Sequence, residues 1–403
     1  VLIVNVNEKI MVVKIGAKVK IKGYIKSKET TWPTKQSDID IWTDKYFTRT
    51  KQAVSKFGDV RVTYALFMSR PVISAPRLAL DWLRNVAKER GTNVEIGLQY
   101  KEGKWVGAGE PIAYVTGQFS FLVDMETLIL QKLGPPCVAA YNAYSMCADL
   151  PKVAFLAMDA RHCAGTGMAE MMAYAASVGS TKAQRKVNAV GFIGNATDAT
   201  AHFFNEEFGK GTMPHAFIGY AGSTLRAAKM FDQTFPKMPM TVLVDYFGRE
   251  VSDSLEVCQN FPELLQKGKL SLRLDTPGSR YIEGLDPAAS YAVLERHVPD
   301  VVRGYRSESQ LSHLVGAGVS AAAIWHLRES LNAKGYKKAK IVASSGFDPA
   351  KCHIFAEAQV PLNVIGTGSY LPATWSETYA TADIVEYDGE KRVKLGREFL
   401  LRR

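Results

Sequence analysis

Six apolar runs dominate the chain after residue 150: VAFLAM (153–158), AVGFIG (189–194), MTVLVDYF (240–247), LSLRLD (270–275), KIVASSG (340–346) and PLNVIGTG (361–368). They are continuous rather than alternating, which predicts strands buried on both faces. Helix-like segments separate them, at 167–178, 254–267, 308–334 and 349–358. Alternating β and α elements predict a parallel sheet, and both an open doubly wound sheet and a closed barrel satisfy that pattern. The run ends discriminate better. Each finishes in polar or glycine residues: Arg161 and His162; Asn195 to Thr197; Asp245; Arg273 and Asp275; Ser344, Ser345 and Gly346; Gly366, Thr367 and Gly368. An α/β barrel collects its chemistry at the C-terminal strand ends, so six such endings favour a barrel.

The first part of the chain reads differently. Residues 12–28 alternate apolar residues with lysine, like a strand, and 29–40 read as loop. Thr43 or Asp44 is placed to cap a helix over 45–56. Residues 60–75 read as a strand pair, 78–90 as an amphipathic helix closed by Gly91, and 104–119 as short glycine-separated strands. Together these predict an α+β domain over 1–121, with the lysine-rich 1–28 unplaced. A helical pair over 122–148, broken at Gly134-Pro135-Pro136, follows it.

Composition narrows the classes. The chain has 403 residues, 47% hydrophobic and 22% charged, enough for two cores. A net charge of +10 suits anionic ligands, but the charge is spread, and only 14–28 is dense in lysine. No aromatic-basic motif or zinc spacing supports nucleic-acid binding. The five cysteines form no CxxC, which argues against a disulfide framework and for a reducing, cytoplasmic compartment. No apolar run reaches membrane-span length. The opening VLIVNVNEKI has polar breaks and no cleavage pattern, and Met11 is a candidate natural start.

Candidate chemistry follows from the strand ends. ASSGFD (343–348) and IGTGSY (365–370) offer backbone N–H groups where glycine permits close approach, a pairing suited to phosphate. Neither matches a P-loop or a dinucleotide fingerprint. Asp275 beside Arg273 reads equally as a buried ion pair or as a group gripping sugar hydroxyls or Mg²⁺. Asp245 carries the same ambiguity. Arg161 suits a carboxylate with its planar fork, or a surface loop. His162, His202 and His353 read as structural or exposed. In GKGTMPHAF (209–217), Pro214 suits a first helical turn and places His215 at a helix start, which stabilises an attached phosphoryl group. From spacing alone a structural role for His215 remains the better reading.

GTMPHAF resembles the phosphohistidine motif of nicotinate phosphoribosyltransferases. Other segments fall in that family's order: TDKYFTRT (43–50), METLILQKLGPP (125–136), RLDTPGSR (273–280), ASSGFD, GTGSY and the closing DIVEYDGEKRVKLGR (383–397). The resemblance covers roughly residues 40–400. It implies a type II phosphoribosyltransferase fold: an irregular α/β barrel over 122–370, an N-terminal α+β domain, and a tail over 371–403 that returns to that domain. It implies a homodimer with sites shared across the contact. It implies nicotinate, phosphoribosyl pyrophosphate (PRPP) and ATP as substrates, Mg²⁺ carried by PRPP and pyrophosphate, and a place in NAD salvage.

Roles follow by the same resemblance. His215 would accept the ATP γ-phosphoryl and Asp245 would hold its other ring nitrogen. Asp275 would grip the ribose, with Arg273 beside the base or ribose. Ser345, Gly346, Thr367 and Gly368 would hold the 5′-phosphate. Arg161 and Thr197 would face nicotinate, and Tyr46 and Arg49 would reach the neighbouring subunit's site. The chain departs from the family at Met158, where members often carry an aromatic residue, at His162 in place of a second arginine, and at Tyr246 within the strand-end motif. Quinolinate phosphoribosyltransferase, a nicotinamide-using relative and a non-catalytic basic binding protein are the alternatives.

Overall fold

The computed structural model describes residues 2–6, 9–13, 32–236 and 238–401. Contacts divide the chain into two units, Val1–Thr31 and Trp32–Arg403. In the first, β1 (Leu2–Val6) pairs antiparallel with β2 (Lys9–Val13), Leu2 opposite Val13. The lysine-rich 14–28, and most of the strand expected over 12–28, lie outside the described residues.

The second unit holds an antiparallel and a parallel sheet. The antiparallel sheet contains β3 (Arg61–Met68), β5 (Glu95–Leu98), β7 (Pro111–Gln118), β14 (Ala380–Tyr387) and β15 (Glu390–Lys391), in the order β15-β14-β3-β7-β5. Strand β14 comes from the end of the chain, so the tail returns to the first sheet as expected, with Ala380 opposite Met68. The strand pair read over 60–75 is corrected. Its second member, β4 (Val72–Ile73), pairs not with β3 but with β6 (Trp105–Val106) in a separate ribbon. The loop read over 29–40 contains a short helix, Gln36–Asp40, pinned by buried Ile39.

The six apolar runs form one parallel sheet. Its strands are β8 (Ala154–Ala157), β9 (Gly191–Asn195), β10 (Met240–Leu243), β11 (Leu270–Leu274), β12 (Lys340–Ala343) and β13 (Val364–Thr367), ordered β10-β11-β12-β13-β8-β9. Among the described residues β9 and β10 form no ladder. The segment 209–213 bridges that seam: Lys210 N donates to Asn195 O at 2.6 Å on the β9 side, and Thr212 Oγ1 accepts from Arg273 on β11. The barrel is irregular for this reason.

The helical pair expected over 122–148 is one helix, Phe119–Asp149, of 31 residues. Pro135 and Pro136 remove N–H donors in its middle, which alone would break it. Tertiary burial overrides this: Gly134, Pro135 and Pro136 are all buried, and the Thr378 carbonyl lies where a Gly134 side chain would be. The helix packs against β3, β4, β7, β14 and helix Thr166–Val187, joining both sheets in one core. Among the described residues no helix is long and apolar enough to cross a membrane.

Candidate active site

Because the six strands run parallel, their C-terminal ends share one rim. That rim opens on a cavity of about 770 Å³. Of the residues expected there, Arg161, Arg273, Asp275, Ser345, Gly346, Thr367 and Gly368 line it. His215, Asp245, Thr197, Tyr46 and Arg49 do not.

Arg273 is buried and fixed on three sides. Its Nε donates to Ser344 Oγ at 3.1 Å, its Nη1 to Thr212 Oγ1, and its Nη2 to Asp275 Oδ2 at 2.8 Å. The ion-pair reading of Asp275 therefore holds, yet its side chain stays 15% exposed and opens on the cavity. Ser345 and Gly346 take left-handed backbone, φ +85° and +66°, and a Cβ at Gly346 would meet nothing within 4 Å. The turn thus faces open space. The Thr367 hydroxyl is occupied, donating to Phe347 O at 2.5 Å and accepting from Ser369 N at 2.9 Å. Close packing explains the neighbouring glycines. A Cβ at Gly366 would lie 2.5 Å from Met158 Sδ, and one at Gly368 would lie 3.0 Å from the Asp159 backbone.

Arg161 is exposed in the turn Ala160–His162, its Nε 3.3 Å from His162 Nε2. Below it Asp159 is buried and accepts from Tyr370 OH at 2.6 Å, which fixes the β8 end. Arg70, paired with Glu377 at 2.9 Å, and Asn142 also line the cavity. Sequence reading missed Arg70, Asn142 and Glu377, which also lines the cavity. Arg70 lies two residues past the end of β3, and only its charge beside a strand end signalled it.

His215 opens helix His215–Ala221 with Pro214 as its N-cap, one residue earlier than expected for the proline. This helix has seven residues, so its dipole contributes little. His215 Nε2 lies 3.0 Å from Asp245 Oδ2; the ring is half-exposed and the carboxylate is buried. Asp245 Oδ1 is buried with no partner. The dyad and Asp275 sit at one level of the rim, because Leu243 is in register with Arg273 on the adjacent strand. Behind the dyad lies a network that sequence reading missed. Arg280 donates to the Asp245 carbonyl at 2.7 Å and pairs with buried Glu250 at 2.6 Å. Glu250 also accepts from Thr276 Oγ1 and Glu283 N.

Thr197 shares hydrogen bonds with Asn195 and Thr200 that close the β9 end. Tyr46 and Arg49 are exposed on helix Lys45–Phe57. Tyr46 borders a second cavity of about 520 Å³ with Tyr64, Glu126, Asp383 and Arg392. Burial, with Asp383 and Asp44 nearby, pushes the Glu126 carboxyl up to about 7, although the Tyr64 hydroxyl partly offsets this. Among the described residues no three His, Cys, Asp or Glu side chains converge to hold a metal ion.

No protein-family model matches the chain, and no curated protein matches it. Solved structures do. Nicotinate-nucleotide pyrophosphorylase from Pyrococcus furiosus superimposes with a TM-score of 0.66 at 22% identity, over 91% of this chain and 81% of that one. Human nicotinic acid phosphoribosyltransferase gives 0.59 at 15% identity, over 88% and 76%. Nicotinate-nucleotide pyrophosphorylase from Ehrlichia chaffeensis gives 0.54 at 11% identity, over 83% and 92%. The chain has the type II phosphoribosyltransferase fold, with a parallel α/β barrel and an antiparallel sheet that the C-terminal strand completes.

Proposed function

We propose that the chain is an ATP-coupled nicotinate phosphoribosyltransferase, forming nicotinate mononucleotide and pyrophosphate from nicotinate and PRPP. The observation that carries this reading is the His215–Asp245 pair at 3.0 Å, set at the level of Asp275 on the neighbouring strand end. A buried carboxylate on Nε2 fixes the tautomer and leaves Nδ1 with its lone pair. In the first step Nδ1 attacks the γ-phosphorus of ATP. The N–P bond forms, the bond to the β,γ-bridging oxygen breaks, and ADP leaves with the electron pair. Asp245 balances the positive charge on the ring. Water later cleaves the N–P bond.

In the transfer step the nicotinate ring nitrogen bonds to the anomeric carbon of PRPP, and pyrophosphate leaves with the electron pair. Asp275 faces the positive charge that develops on the sugar. Arg161 meets the nicotinate carboxylate with two parallel donors. The turn at Ser345 and Gly346, with Gly368, receives the 5′-phosphate. Mg²⁺ would arrive on the pyrophosphate group of PRPP, as part of that substrate, and would neutralise the leaving group. Tyr46 and Arg49, exposed and outside the cavity, are assigned to the site of the second subunit of a homodimer. The three-part division at 121 and 370 and a cytoplasmic setting complete this reading.

A second reading, decarboxylating quinolinate phosphoribosyltransferase, has one observation in its favour. Arg70, Arg161 and Arg273 all line the cavity, a cationic set that suits a dicarboxylate. The test offers the purified protein PRPP and Mg²⁺ with nicotinate, nicotinamide or quinolinate, and measures mononucleotide, pyrophosphate and CO₂. Product from nicotinate, increased by ATP, is expected. CO₂ from quinolinate without ATP dependence would replace the first reading with the second.

A further inference from the structure

Lys351 is a buried cation that none of the steps above uses. Its side chain is 7% exposed, runs past the Phe347 ring (4.4 Å) and the Phe355 ring (5.6 Å), and donates from Nζ to Ser345 O at 2.9 Å. Its own backbone N–H is held by the Asp348 carboxylate at 2.7 Å, which fixes the helix Pro349–Glu357 beneath the turn. No carboxylate among the described residues lies within ion-pair distance of the ammonium. A buried charge without a counter-ion is costly, and any anion bound nearby relieves that cost. The acceptor it does have belongs to Ser345, a non-glycine residue at φ +85° and thus strained. Holding this carbonyl on the ammonium fixes the turn from the helix side.

We propose that Lys351 is the positioning residue of the anion site at Ser345 and Gly346: it fixes the turn through the Ser345 carbonyl and supplies the positive charge that a bound phosphate group neutralises. This rests on the phosphoribosyltransferase reading for the identity of the phosphate, but not for the presence of an anion site. Groups facing the ammonium are Asp348 and Cys352 from its own helix and cap, Asp275 from the β11 end, and His313 from helix Glu308–Val315. Burial lowers the Lys351 ammonium to about 8, so its charge is lost within an accessible pH range.

The test titrates sulfate, whose charge is constant over this range, into the full chain between pH 6.5 and 9.5 by calorimetry. Wild type should lose affinity as pH rises through 8, by up to about tenfold per pH unit where the free amine discharges. Lys351→Met, which retains length and packing, should bind at least about tenfold more weakly at pH 7 and show no such slope. Lys351→Arg should retain charge and bind without the loss at pH 9. Thermal unfolding of each variant identifies any that fail to fold. Lys351→Met with the affinity and slope of wild type would overturn the proposal, as would a wild type that binds no sulfate. Sulfate binding with the expected slope, in a protein that turns over no PRPP, would uphold the lysine's role and reject the phosphoribosyltransferase reading.

Discussion

At the scale of single residues, Glu126 offers a prediction independent of catalysis. Its carboxyl is raised from an ordinary 4.5 to about 7, chiefly by burial. Below pH 4.5 both folded and unfolded chains hold the proton, and the group contributes nothing. As pH rises from 4.5 to 7 the unfolded chain ionises while the folded one retains the proton, so stability falls. The loss is complete above 7 and amounts to on the order of 3 kcal/mol. Glu126→Gln removes this dependence. Urea unfolding should show the variant gaining on wild type between pH 5 and pH 8; an equal difference at both would contradict the assignment. The catalytic candidates show how far single residues were legible. His215 and Asp245 lie 30 positions apart, and only a family resemblance paired them. Arg280 and Glu250 escaped notice because their roles depend on the chain folding back behind β10. Lys351 escaped because a lysine in the first turn of a helix reads as solvated until its burial is known.

Among the elements, the six parallel strands were legible because burial on both faces leaves a continuous apolar run that no exposed segment imitates. Helix Phe119–Asp149 was not, because a local rule gave way to packing. Its neighbour Thr166–Val187 approaches it closely at Gly179, where an added Cβ would overlap the Ala140 carbonyl oxygen and lie 2.8 Å from Tyr144 N. Both neighbours are helix backbone and cannot yield cheaply. Gly179→Ala should therefore cost about 1–3 kcal/mol, since overpacking forces backbone shifts. A lowered urea midpoint with unchanged slope is the expected result, and an unchanged midpoint would show that the helices can separate. The same local-versus-tertiary conflict explains the helix read over 308–334. It is two helices, Glu308–Val315 and Ala321–Ala333, interrupted where Gly318 takes φ +79° against Gly278 and Thr276.

For the molecule as a whole, the returning tail decides how the parts combine. Strand β14 completes the antiparallel sheet, and the 3₁₀ turn Trp375–Thr378 before it seats on Gly134 in the long helix. The same turn presents Glu377 to Arg70 at the cavity wall. One stretch of chain thus links the first sheet, the connecting helix and the rim of the barrel. The periodicity of the sequence carried the parallel strands and their polar ends favoured the barrel, but the tail's course came only with the family resemblance, because its partner strand lies more than 300 residues away. The central functional claim concerns the rim's other side, where His215 faces solvent with Asp245 behind it. The most direct measurement incubates the protein with γ-labelled ATP and recovers acid-labile, base-stable phosphate, alongside His215→Ala and Asp245→Asn. Label on wild type, none on His215→Ala, and labelling slowed by about 10³–10⁴-fold in Asp245→Asn is the predicted result, since loss of the carboxylate frees the wrong tautomer. Equal label on wild type and His215→Ala, or none on either, would contradict the account.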